Sequence, residues 1–393
     1  MNSIKCDFCG AEGYLFKSFY DEVYQPIGTK RNSRVCVCNS CGLVFSIHDD
    51  IPYSREPNPS GDADWGNVRF CKGQRFAAVK DILPKGAKRV LDVGSSRGDF
   101  VKWYREQNPK AEIVAIEPDT RVIGDYADEF EVIGGKLENN TVFTPSNHYD
   151  FVYCMQTLEH TDSASAMLKQ IYDCLEPGGV LFLEVPNIEV IRYPLNIEEF
   201  FIDKHNFHFS HKVLKSYLEW IGFKLEKIND DDLNVRIFAS KSGIRFDTMT
   251  NEPASYSSFP DFCNSPIKYY YNIVDEYAET IQRNRAKLPA VVEKINRILD
   301  VQKVAFWGAN TMLDLMVKYG GLDPSRVECL VDTYMAGNLD AIHGVPIQSP
   351  DALRGYQPDV CIVLARHSAE QIAKLARKYG IRNVIKFSDL LEE

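Results

Sequence analysis

The middle of the chain alternates between apolar strands and amphipathic helices. The string KRVLDVGSSRGDFVKWYREQ begins as an apolar strand, turns at two glycines and continues as an amphipathic helix. Further apolar strands are predicted in AEIVAIEPD, YDFVYCMQTLEH and VLFLEVPN, with turn or helical segments between them. This order predicts an α/β domain built on a Rossmann-like parallel sheet.

The C-terminal third repeats the order of strand, turn and helix. Residues 266–300 read as a long helix, or a pair of helices, that bridges two domains. VAFWGANTMLDLMVKYG then places Gly308 in a turn, and the apolar runs ECLVDT, DVCIVLA and NVIKF alternate with helical segments. We therefore predict a second Rossmann-like α/β domain, with domain boundaries at 1–75, 76–265 and 266–393.

Composition and charge limit the class of protein. The 393 residues are 45% hydrophobic and 25% charged, as in a folded protein with more than one domain. No apolar run approaches the roughly 20 residues that span a bilayer, and the N-terminus lacks the layout of a signal peptide. The net charge of −10 argues against a nucleic-acid partner. We predict a cytoplasmic protein with no membrane partner.

The N-terminal region carries a cluster of cysteines typical of a metal site. Cys6 and Cys9 form one C-x-x-C pair, and Cys38 and Cys41 form another. Two such pairs, each followed by a glycine, can present four thiolates to one tetrahedral Zn²⁺ ion. Because four cysteines leave no position open for water, the predicted zinc is structural. Cys36 is a spare thiol that could pack or compete as a ligand.

The first glycine turn has the features of a nucleotide-cofactor loop. Gly94 and Gly98 allow a sharp turn and close approach to a ligand, and Asp92 ends the preceding strand. Glu117 ends the next strand, where an acidic residue can accept hydrogen bonds from ribose hydroxyls. The loop reads G-S-S-R-G and not G-x-G-x-x-G, which favours S-adenosylmethionine over a nicotinamide cofactor. The predicted cofactor-binding residues are Asp92, Gly94, Ser95, Gly98, Glu117, Pro118, Met155 and Gln156.

Motifs along nearly the whole chain resemble one family. They are CNSCGLVF, DVGSSRGDF, QTLEHTD, LEVPN, KHNFHFSHKVLKSYLEWIGF, VAFWGAN and VDTYMAGNLDAIHGVPIQSPDAL. In this order they are similar to the zinc-containing sugar C-methyltransferases, which act on nucleotide-linked 4-keto-deoxysugars. The resemblance implies a zinc domain, a class I S-adenosylmethionine methyltransferase domain and a C-terminal domain that closes over a nucleotide-sugar substrate.

The resemblance also implies where the catalytic base lies. C-methylation beside a ketone requires a base that removes the proton from the adjacent carbon, and histidine titrates near working pH. The family carries its proposed base in a Y-H-E-H segment, whose final histidine aligns with His205. Here Ile202, Asp203 and Lys204 replace the other three residues of that segment. Lysine is a compact cation that could hold an oxyanion or a phosphate.

Further polar residues are candidates for the same site. Glu159 and His160 end a strand that faces the predicted ligand crevice, where His160 could assist catalysis or cap a helix. His211 begins the next predicted helix, where we expect it to cap that helix or face solvent. The predicted catalytic residues are His205, His160 and Glu159, and the predicted substrate-binding residues are Lys204, His208, Tyr53 and Asn187. His208 could instead pack, and Asn187 could shape a turn.

Two alternatives stay open. The departures from the Y-H-E-H segment leave room for methylation of a hydroxyl oxygen on a related sugar nucleotide. From a different class, the chain could be a zinc-ribbon binding or scaffold protein with a non-catalytic methyltransferase fold. The intact set of Asp92, Gly94, Gly98 and Glu117 argues against the scaffold. Nothing in the sequence indicates the oligomeric state or the particular sugar.

Overall fold

A computed structural model describes most of the chain as three β-sheets with helices around them. The described residues are 5–11, 14–19, 33–48, 80, 83–84, 86–120, 123–140, 148–197, 200–201, 205–230, 233–241, 265–333, 335–337, 339–365 and 368–392. The strands are β1 (Tyr14–Phe19), β2 (Ser33–Cys38), β3 (Val44–His48), β4 (Arg89–Val93), β5 (Glu112–Glu117), β6 (Glu131–Gly134), β7 (Tyr149–Met155), β8 (Leu175–Pro186), β9 (Phe207–His208), β10 (Phe223–Asp230), β11 (Asn234–Lys241), β12 (Val304–Trp307), β13 (Cys329–Val331), β14 (Ala341–Ile342), β15 (Val345–Gln348), β16 (Val360–Val363) and β17 (Asn383–Lys386). The α-helices are α1 (Asp99–Gln107), α2 (Ala164–Cys174), α3 (His211–Ile221), α4 (Ser265–Leu299), α5 (Thr311–Lys318), α6 (Ala352–Tyr356), α7 (Ala369–Lys378) and α8 (Phe387–Glu392).

The N-terminal sheet has the order β1-β2-β3-β9, and all its neighbouring strands are antiparallel. Three of the strands lie close to the cysteine pairs. The fourth, β9, comes from the middle of the chain, outside the range 1–75. Its residue His208 pairs with Val44 of β3. The segment that carries the candidate base is therefore bonded to the cysteine-rich sheet.

The central sheet has seven strands in the order β10-β11-β8-β7-β4-β5-β6. The five strands from β6 to β8 in that order are parallel, and β11 is antiparallel to both of its neighbours. Strand β4 is the middle one of these five parallel strands, and its residues 90–93 are buried. This arrangement confirms the predicted Rossmann-like α/β fold. Its carboxyl edge holds the predicted cofactor and catalytic residues.

Two helices of this region have clear end signals. The side chain of Ser163 accepts a hydrogen bond from the Ala166 N–H at the start of α2. Ser210 does the same for the Val213 N–H at the start of α3, and Gly222 ends α3 with a φ of 111°. The sequence predicts that His211 begins a helix, which is confirmed, but the cap of that helix is Ser210 and not His211.

The C-terminal sheet has six strands in the order β14-β15-β13-β12-β16-β17. The pairs that join β15, β13, β12, β16 and β17 are parallel, and only β14 pairs antiparallel. The predicted turn at Gly308 follows β12, with a φ of 121° that favours glycine. The apolar runs of the last third thus form a second parallel sheet.

A single helix, α4, connects the central and C-terminal sheets. It spans Ser265–Leu299, 35 residues, and contains Pro289. Its first turns pack against the N-terminal and central sheets through Tyr270, Ile273 and Val274, and its last turns pack against the C-terminal sheet. The tyrosine-rich start of α4 therefore has a packing role. Within the described part of the chain, no helix is long and apolar enough to cross a membrane.

Candidate active site

The loop between β4 and α1 requires glycine at two positions. Gly94 and Gly98 have φ values of 77° and 72°, in the left-handed region. A Cβ atom on Gly94 would lie 2.1 Å from the Thr157 hydroxyl, and one on Gly98 would lie 2.6 Å from the Tyr126 ring. Either contact is impossible without movement of the neighbour. The loop is therefore built to lie tightly against β7 and the segment after β5.

Glu117 shapes this loop through hydrogen bonds to the backbone. Its two carboxylate oxygens accept hydrogen bonds from the N–H groups of Ser96, at 2.7 Å, and Asp119, at 2.8 Å. Ser96 itself has a φ of 47°, a conformation that is costly for a residue other than glycine. A carboxylate has further acceptor sites. The predicted interaction of Glu117 with ribose hydroxyls stays a prediction.

Asp92 is a buried acid at the end of β4. Its side chain is 2% exposed, and burial raises its pKa well above the usual range, with the charge of Glu117 adding to the rise. Among the described residues, no group forms a hydrogen bond with its Oδ2 atom. Buried polar atoms normally have a partner, so this oxygen is suited to a polar or cationic ligand group at the loop. The site fits the cationic cofactor predicted for it.

Tyr126 closes the other side of the loop. Its hydroxyl lies 2.6 Å from the hydroxyl of Ser95, a predicted cofactor-binding residue. Burial raises the pKa of Tyr126 to about 12, so the phenol stays neutral.

At the end of β7, the Tyr153 hydroxyl donates a hydrogen bond of 3.0 Å to the sulfur of Met155. Pro118 is exposed beside Glu117.

Gln156 belongs to a buried polar network that the sequence patterns did not reveal. Its φ is 51°, and its side-chain amide donates hydrogen bonds to Glu184, at 3.2 Å, and Asn234, at 2.9 Å. The fully buried Glu184 also accepts a bond of 2.5 Å from Arg236. These residues lie at the carboxyl ends of β7 and β8 and on β11, the strand that pairs with β8. The network therefore fixes one wall of the crevice.

Replacing Arg236 with methionine is expected to lower the free energy of unfolding of the central sheet by about 3–5 kcal/mol, because Glu184 is left as a buried charge without its guanidinium partner. Lys224→Met is the control, since its ion pair with Glu226 is on the surface and is worth about 0–1 kcal/mol. Urea unfolding followed by tryptophan fluorescence measures both changes. Equal, small losses in the two variants would contradict the structural role assigned to the pair.

The predicted catalytic residues lie together. A 3₁₀ helix, Leu158–His160, follows β7 and carries the buried Glu159 and the partly exposed His160. The His160 Nε2 atom is 3.8 Å from the Glu159 carboxylate, and the His160 ring is 4.7 Å from the His205 ring. The N–H of Asn206 donates to the Glu159 carbonyl at 2.7 Å, which joins the two segments. The N-caps of this 3₁₀ helix and of α2 are Thr157 and Ser163, so the predicted capping role of His160 is wrong.

The other predicted substrate-binding residues have different positions. His208 is 3% exposed, and its Nε2 atom lies 2.7 Å from the Ser46 hydroxyl of the N-terminal sheet. Asn187 caps the 3₁₀ helix Ile188–Arg192, where its side chain accepts a hydrogen bond from the Glu189 N–H. Both side chains thus have structural partners. Tyr53 and Lys204 lie outside the described residues.

The four predicted metal ligands converge. The sulfur atoms of Cys6 and Cys41 are 3.6 Å apart, as are those of Cys9 and Cys38, and all four lie within 4.8 Å of one another. Tetrahedral Zn–S bonds of about 2.3 Å place sulfur atoms about 3.8 Å apart. The neighbouring thiols, Cys41 first, hold the pKa of Cys38 far below its usual range, which favours a thiolate. The donor set therefore fits Zn²⁺.

Each cysteine pair sits in a tight turn. The Gly10 N–H donates to the Cys6 carbonyl at 2.8 Å, and the Gly42 N–H donates to the Cys38 carbonyl at 3.0 Å. Both glycines have positive φ values, 66° and 75°. Cys36 lies outside the four-sulfur cluster, and burial raises its pKa to about 12. It packs as a neutral thiol.

The first cysteine turn is docked on the central domain. The Asp7 carboxylate accepts hydrogen bonds from Ser163, Ser165 and Tyr217, at the start of α2 and in α3. The Phe8 ring stacks on Tyr217 with 3.8 Å between centroids. The second turn lies against Tyr270 of α4. Order in the cysteine turns is therefore coupled to the helices that support the active site.

Two family models match the chain. Residues 69–228 match a methyltransferase domain, and residues 268–387 match a C-methyltransferase C-terminal domain. With the fold and the loop geometry, these matches show that the chain is an S-adenosylmethionine-dependent methyltransferase. The second match supports the narrower class of C-methyltransferases, and so does a relative that carries that description, C-methyltransferase NovU.

Two curated relatives and one solved structure are similar to parts of this chain. C-methyltransferase NovU from Streptomyces niveus is 23% identical over 86% of this chain and 81% of its own. A tRNA U34 carboxymethyltransferase from Desulforapulum autotrophicum is 29% identical over 41% of this chain, which spans about half (51%) of that relative's length. A putative S-adenosylmethionine-dependent methyltransferase structure from Listeria monocytogenes, 15% identical, covers 44% of this chain and 99% of its own with a TM-score of 0.37.

Proposed function

We propose that this enzyme methylates a carbon atom next to a ketone in a nucleotide-linked sugar. The observation that carries the proposal is the meeting of His205 with His160 and Glu159 at the carboxyl edge of the sheet, beside the cofactor loop. The match of residues 268–387 to a C-methyltransferase C-terminal domain supports carbon as the acceptor. The sugar-nucleotide class rests on the resemblance of the motifs along the chain.

The proposed chemistry begins with proton removal by His205. The imidazole takes the proton from the carbon beside the ketone, and the electrons of the broken C–H bond pass to the ketone oxygen to form an enolate. S-adenosylmethionine, when bound at the β4–α1 loop, would supply an electrophilic methyl group to the enolate carbon and would keep the electrons of the broken S–CH₃ bond on its sulfur. The proton remains on His205 until it is released to water.

Glu159 and His160 support this step electrostatically. The Glu159 carboxylate, 1% exposed, lies 3.8 Å from the His160 Nε2 atom and can orient that imidazole. His160 lies next to His205 and is placed to donate a hydrogen bond to the developing enolate oxygen. We therefore assign His205 as the base and His160 as the oxyanion-stabilising group, with Glu159 as the group that orients it.

We propose that the loop holds S-adenosylmethionine through Asp92, Gly94, Ser95, Gly98, Glu117, Pro118, Met155 and Gln156. Asp92 has the buried oxygen suited to a cationic group, and the glycines keep the loop clear of side chains. We also propose Zn²⁺ at Cys6, Cys9, Cys38 and Cys41, where it stabilises the fold and leaves no position for substrate. Tyr53, Lys204, His208 and Asn187 stay as candidates for substrate contacts.

Asp92→Asn is expected to weaken S-adenosylmethionine binding by at least about tenfold, the effect of losing roughly 1.4 kcal/mol of a charged interaction.

The ligand-free Asp92→Asn variant is expected to lose none of its stability. Burial raises the Asp92 pKa in the fold, so the folded chain holds a proton that the unfolded chain has lost above about pH 4. Asp92 therefore lowers stability as pH rises, and the variant should show a flatter pH profile.

Calorimetric titration with S-adenosylmethionine and thermal melts between pH 5 and 8 measure both effects. Asp150→Asn is the control, because Asp150 lies at the opposite end of the sheet and accepts hydrogen bonds from the backbone of Lys88 and Arg89. Unchanged cofactor affinity in Asp92→Asn would show that this carboxyl does not contact the cofactor.

The function is tested by incubating the protein with S-adenosylmethionine and a panel of 4-keto and 4-hydroxy sugar nucleotides. Mass spectrometry detects methylated products, and NMR locates the new methyl group. The proposal expects a C-methyl product from a 4-keto substrate. A methyl ether from a 4-hydroxy substrate would identify the enzyme as an O-methyltransferase, and cofactor binding with no transfer to the panel would favour a binding role.

A further inference from the structure

Asn206, the residue after the candidate base, binds the turn of residues 157–161, which carries His160. Its backbone N–H donates a hydrogen bond of 2.7 Å to the Glu159 carbonyl, and its side-chain amide donates one of 2.9 Å to the Thr161 carbonyl. One residue therefore holds the turn on both sides of His160. Because His205 is its neighbour in the chain, the same contacts hold the two imidazoles together, with 4.7 Å between ring centroids.

The turn that Asn206 binds is also attached to the cofactor loop. It begins at Thr157, whose hydroxyl donates a hydrogen bond of 3.2 Å to the Val93 carbonyl at the end of β4. Thr157 is also the residue that a Cβ atom on Gly94 would strike. Inside the turn, the His160 N–H donates to the Thr157 carbonyl at 3.0 Å. The turn is thus bonded to the end of β4 at its start and to Asn206 at its end.

The N-terminal sheet supplies a third contact of Asn206. The Ser46 N–H of β3 donates to the Asn206 carbonyl at 2.9 Å, and the next residue, Phe207, pairs with Phe45. Ser46 is 8% exposed, so water has little access to this bond. The backbone N–H, the backbone carbonyl and the side-chain amide of Asn206 therefore join two parts of the fold, the turn of residues 157–161 and the sheet beside the cysteine cluster.

We propose that Asn206 is a positioning residue, which sets the distance between the imidazoles of His205 and His160 and their placement relative to the cofactor loop. The inference rests on the proposed roles of these two histidines as base and oxyanion-stabilising group. Removing the side-chain amide takes away the donor that binds the Thr161 carbonyl, so residues 157–161 are expected to move away from His205. A displacement of about 1 Å is expected to lower the rate about 10²-fold, because proton removal and charge stabilisation both depend on distance.

The test compares two substitutions of Asn206 in the full chain. Asn206→Leu is the main variant, because leucine has a similar size and no donor for the Thr161 carbonyl. Asn206→Ala is milder, since the half-buried site lets water replace the amide. Both variants keep the backbone bonds of residue 206. Asn108→Leu is the matched control, because the half-buried Asn108 amide donates a hydrogen bond of 3.0 Å to the Ala87 carbonyl, near the amino end of β4.

The separation of the two rings is measured by NMR without substrate. The full chain is labelled with ¹³C at Cε1 of its eight histidines, and substitution of His160 and of His205 assigns their signals. The nuclear Overhauser effect between the two rings then reports the distance between them. Thermal unfolding measures stability. Cofactor titration and steady-state kinetics with a 4-keto sugar nucleotide give the affinity for S-adenosylmethionine, kcat and KM.

In Asn206→Leu we expect the Overhauser effect between the rings to fall about threefold or more, as a displacement of about 1 Å would cause. We also expect kcat to fall about tenfold or more, while KM and the affinity for S-adenosylmethionine stay unchanged. Asn206→Ala should show smaller changes in the same direction. Asn108→Leu should lose a similar amount of stability and show neither change.

The Overhauser result needs no substrate, so a wild type that methylates no 4-keto sugar would contradict the proposed function and not the placement of the two rings. An unchanged Overhauser effect in Asn206→Leu, or in Asn206→Ala if the leucine variant does not fold, would overturn the inference. An equal loss of the effect in Asn108→Leu would overturn it as well, because the change would then follow from lower stability alone.

Discussion

Replacing His205 with alanine is expected to lower kcat by about 10²–10⁴-fold, the usual contribution of a general base. S-adenosylmethionine affinity should not change, because the proposed cofactor-binding residues come from the β4–α1 loop and from the ends of β5 and β7, and His205 is not one of them. The folded state should be retained, since His205 is only partly buried and its neighbour Asn206 keeps its own hydrogen bonds. Steady-state kinetics and cofactor titration measure the two effects separately.

His148→Ala is the control for this prediction, because His148 is exposed and contributes its backbone carbonyl, which the substitution keeps, to Arg89. Glu159→Gln tests the role of the carboxylate beside His160. It removes the carboxylate that lies 3.8 Å from the His160 Nε2 atom, and we expect it to lower kcat while the affinity for S-adenosylmethionine stays unchanged. A His205→Ala enzyme with the wild-type kcat would exclude His205 as the base.

Removal of the Zn²⁺ ion that we propose for the four-cysteine cluster is expected to unfold the N-terminal sheet. Structural zinc sites contribute about 10–16 kcal/mol of apparent binding free energy in small domains, more than a sheet of this size can supply by packing. The effect should spread, because Asp7 and Phe8 tie the first cysteine turn to α2 and α3. Cys9→Ser should therefore lose zinc, lose stability and lose activity together.

Zinc content, near-ultraviolet circular dichroism and thermal unfolding measure this prediction. Cys36→Ser is the matched control, since Cys36 is equally buried in β2 but lies outside the four-sulfur cluster. It should keep one equivalent of zinc and lose only about 1–3 kcal/mol, the effect of burying a hydroxyl. A Cys9→Ser protein that keeps both its zinc and its stability would show that the cluster is not the metal site.

Local spacing in the sequence was sufficient to predict the cysteine cluster and the cofactor loop. The ligands Cys6 and Cys9 lie in one turn, and the paired spacing determines which sulfurs can meet. Gly94 and Gly98 likewise indicate a turn with positive φ, although their close contacts with Thr157 and Tyr126 are visible only in the fold. The cysteine spacing and the glycine turn are local patterns, so one sequence is enough to reveal them.

Features that depend on distant contacts were not predictable in the same way. Gln156 meets Glu184 and Asn234 across separations of 28 and 78 residues, and the Ser46–His208 bond spans 162. The order of strands β7, β8 and β11 decides these contacts. No periodic pattern in the sequence contains that order. The sequence likewise does not distinguish Asn284 from the other polar residues of α4. Only the fold shows that its amide donates hydrogen bonds to the carbonyls of Pro194 and Asn196.

The most direct measurement of the proposed carbon chemistry is incubation of the protein with S-adenosylmethionine and a 4-keto sugar nucleotide in D₂O, with wild type and His205→Ala compared by NMR and mass spectrometry. We expect deuterium at the carbon beside the ketone, a new methyl group on that carbon, and the loss of both in the variant. A methyl ether formed with no deuterium in the sugar ring would contradict carbon methylation through an enolate.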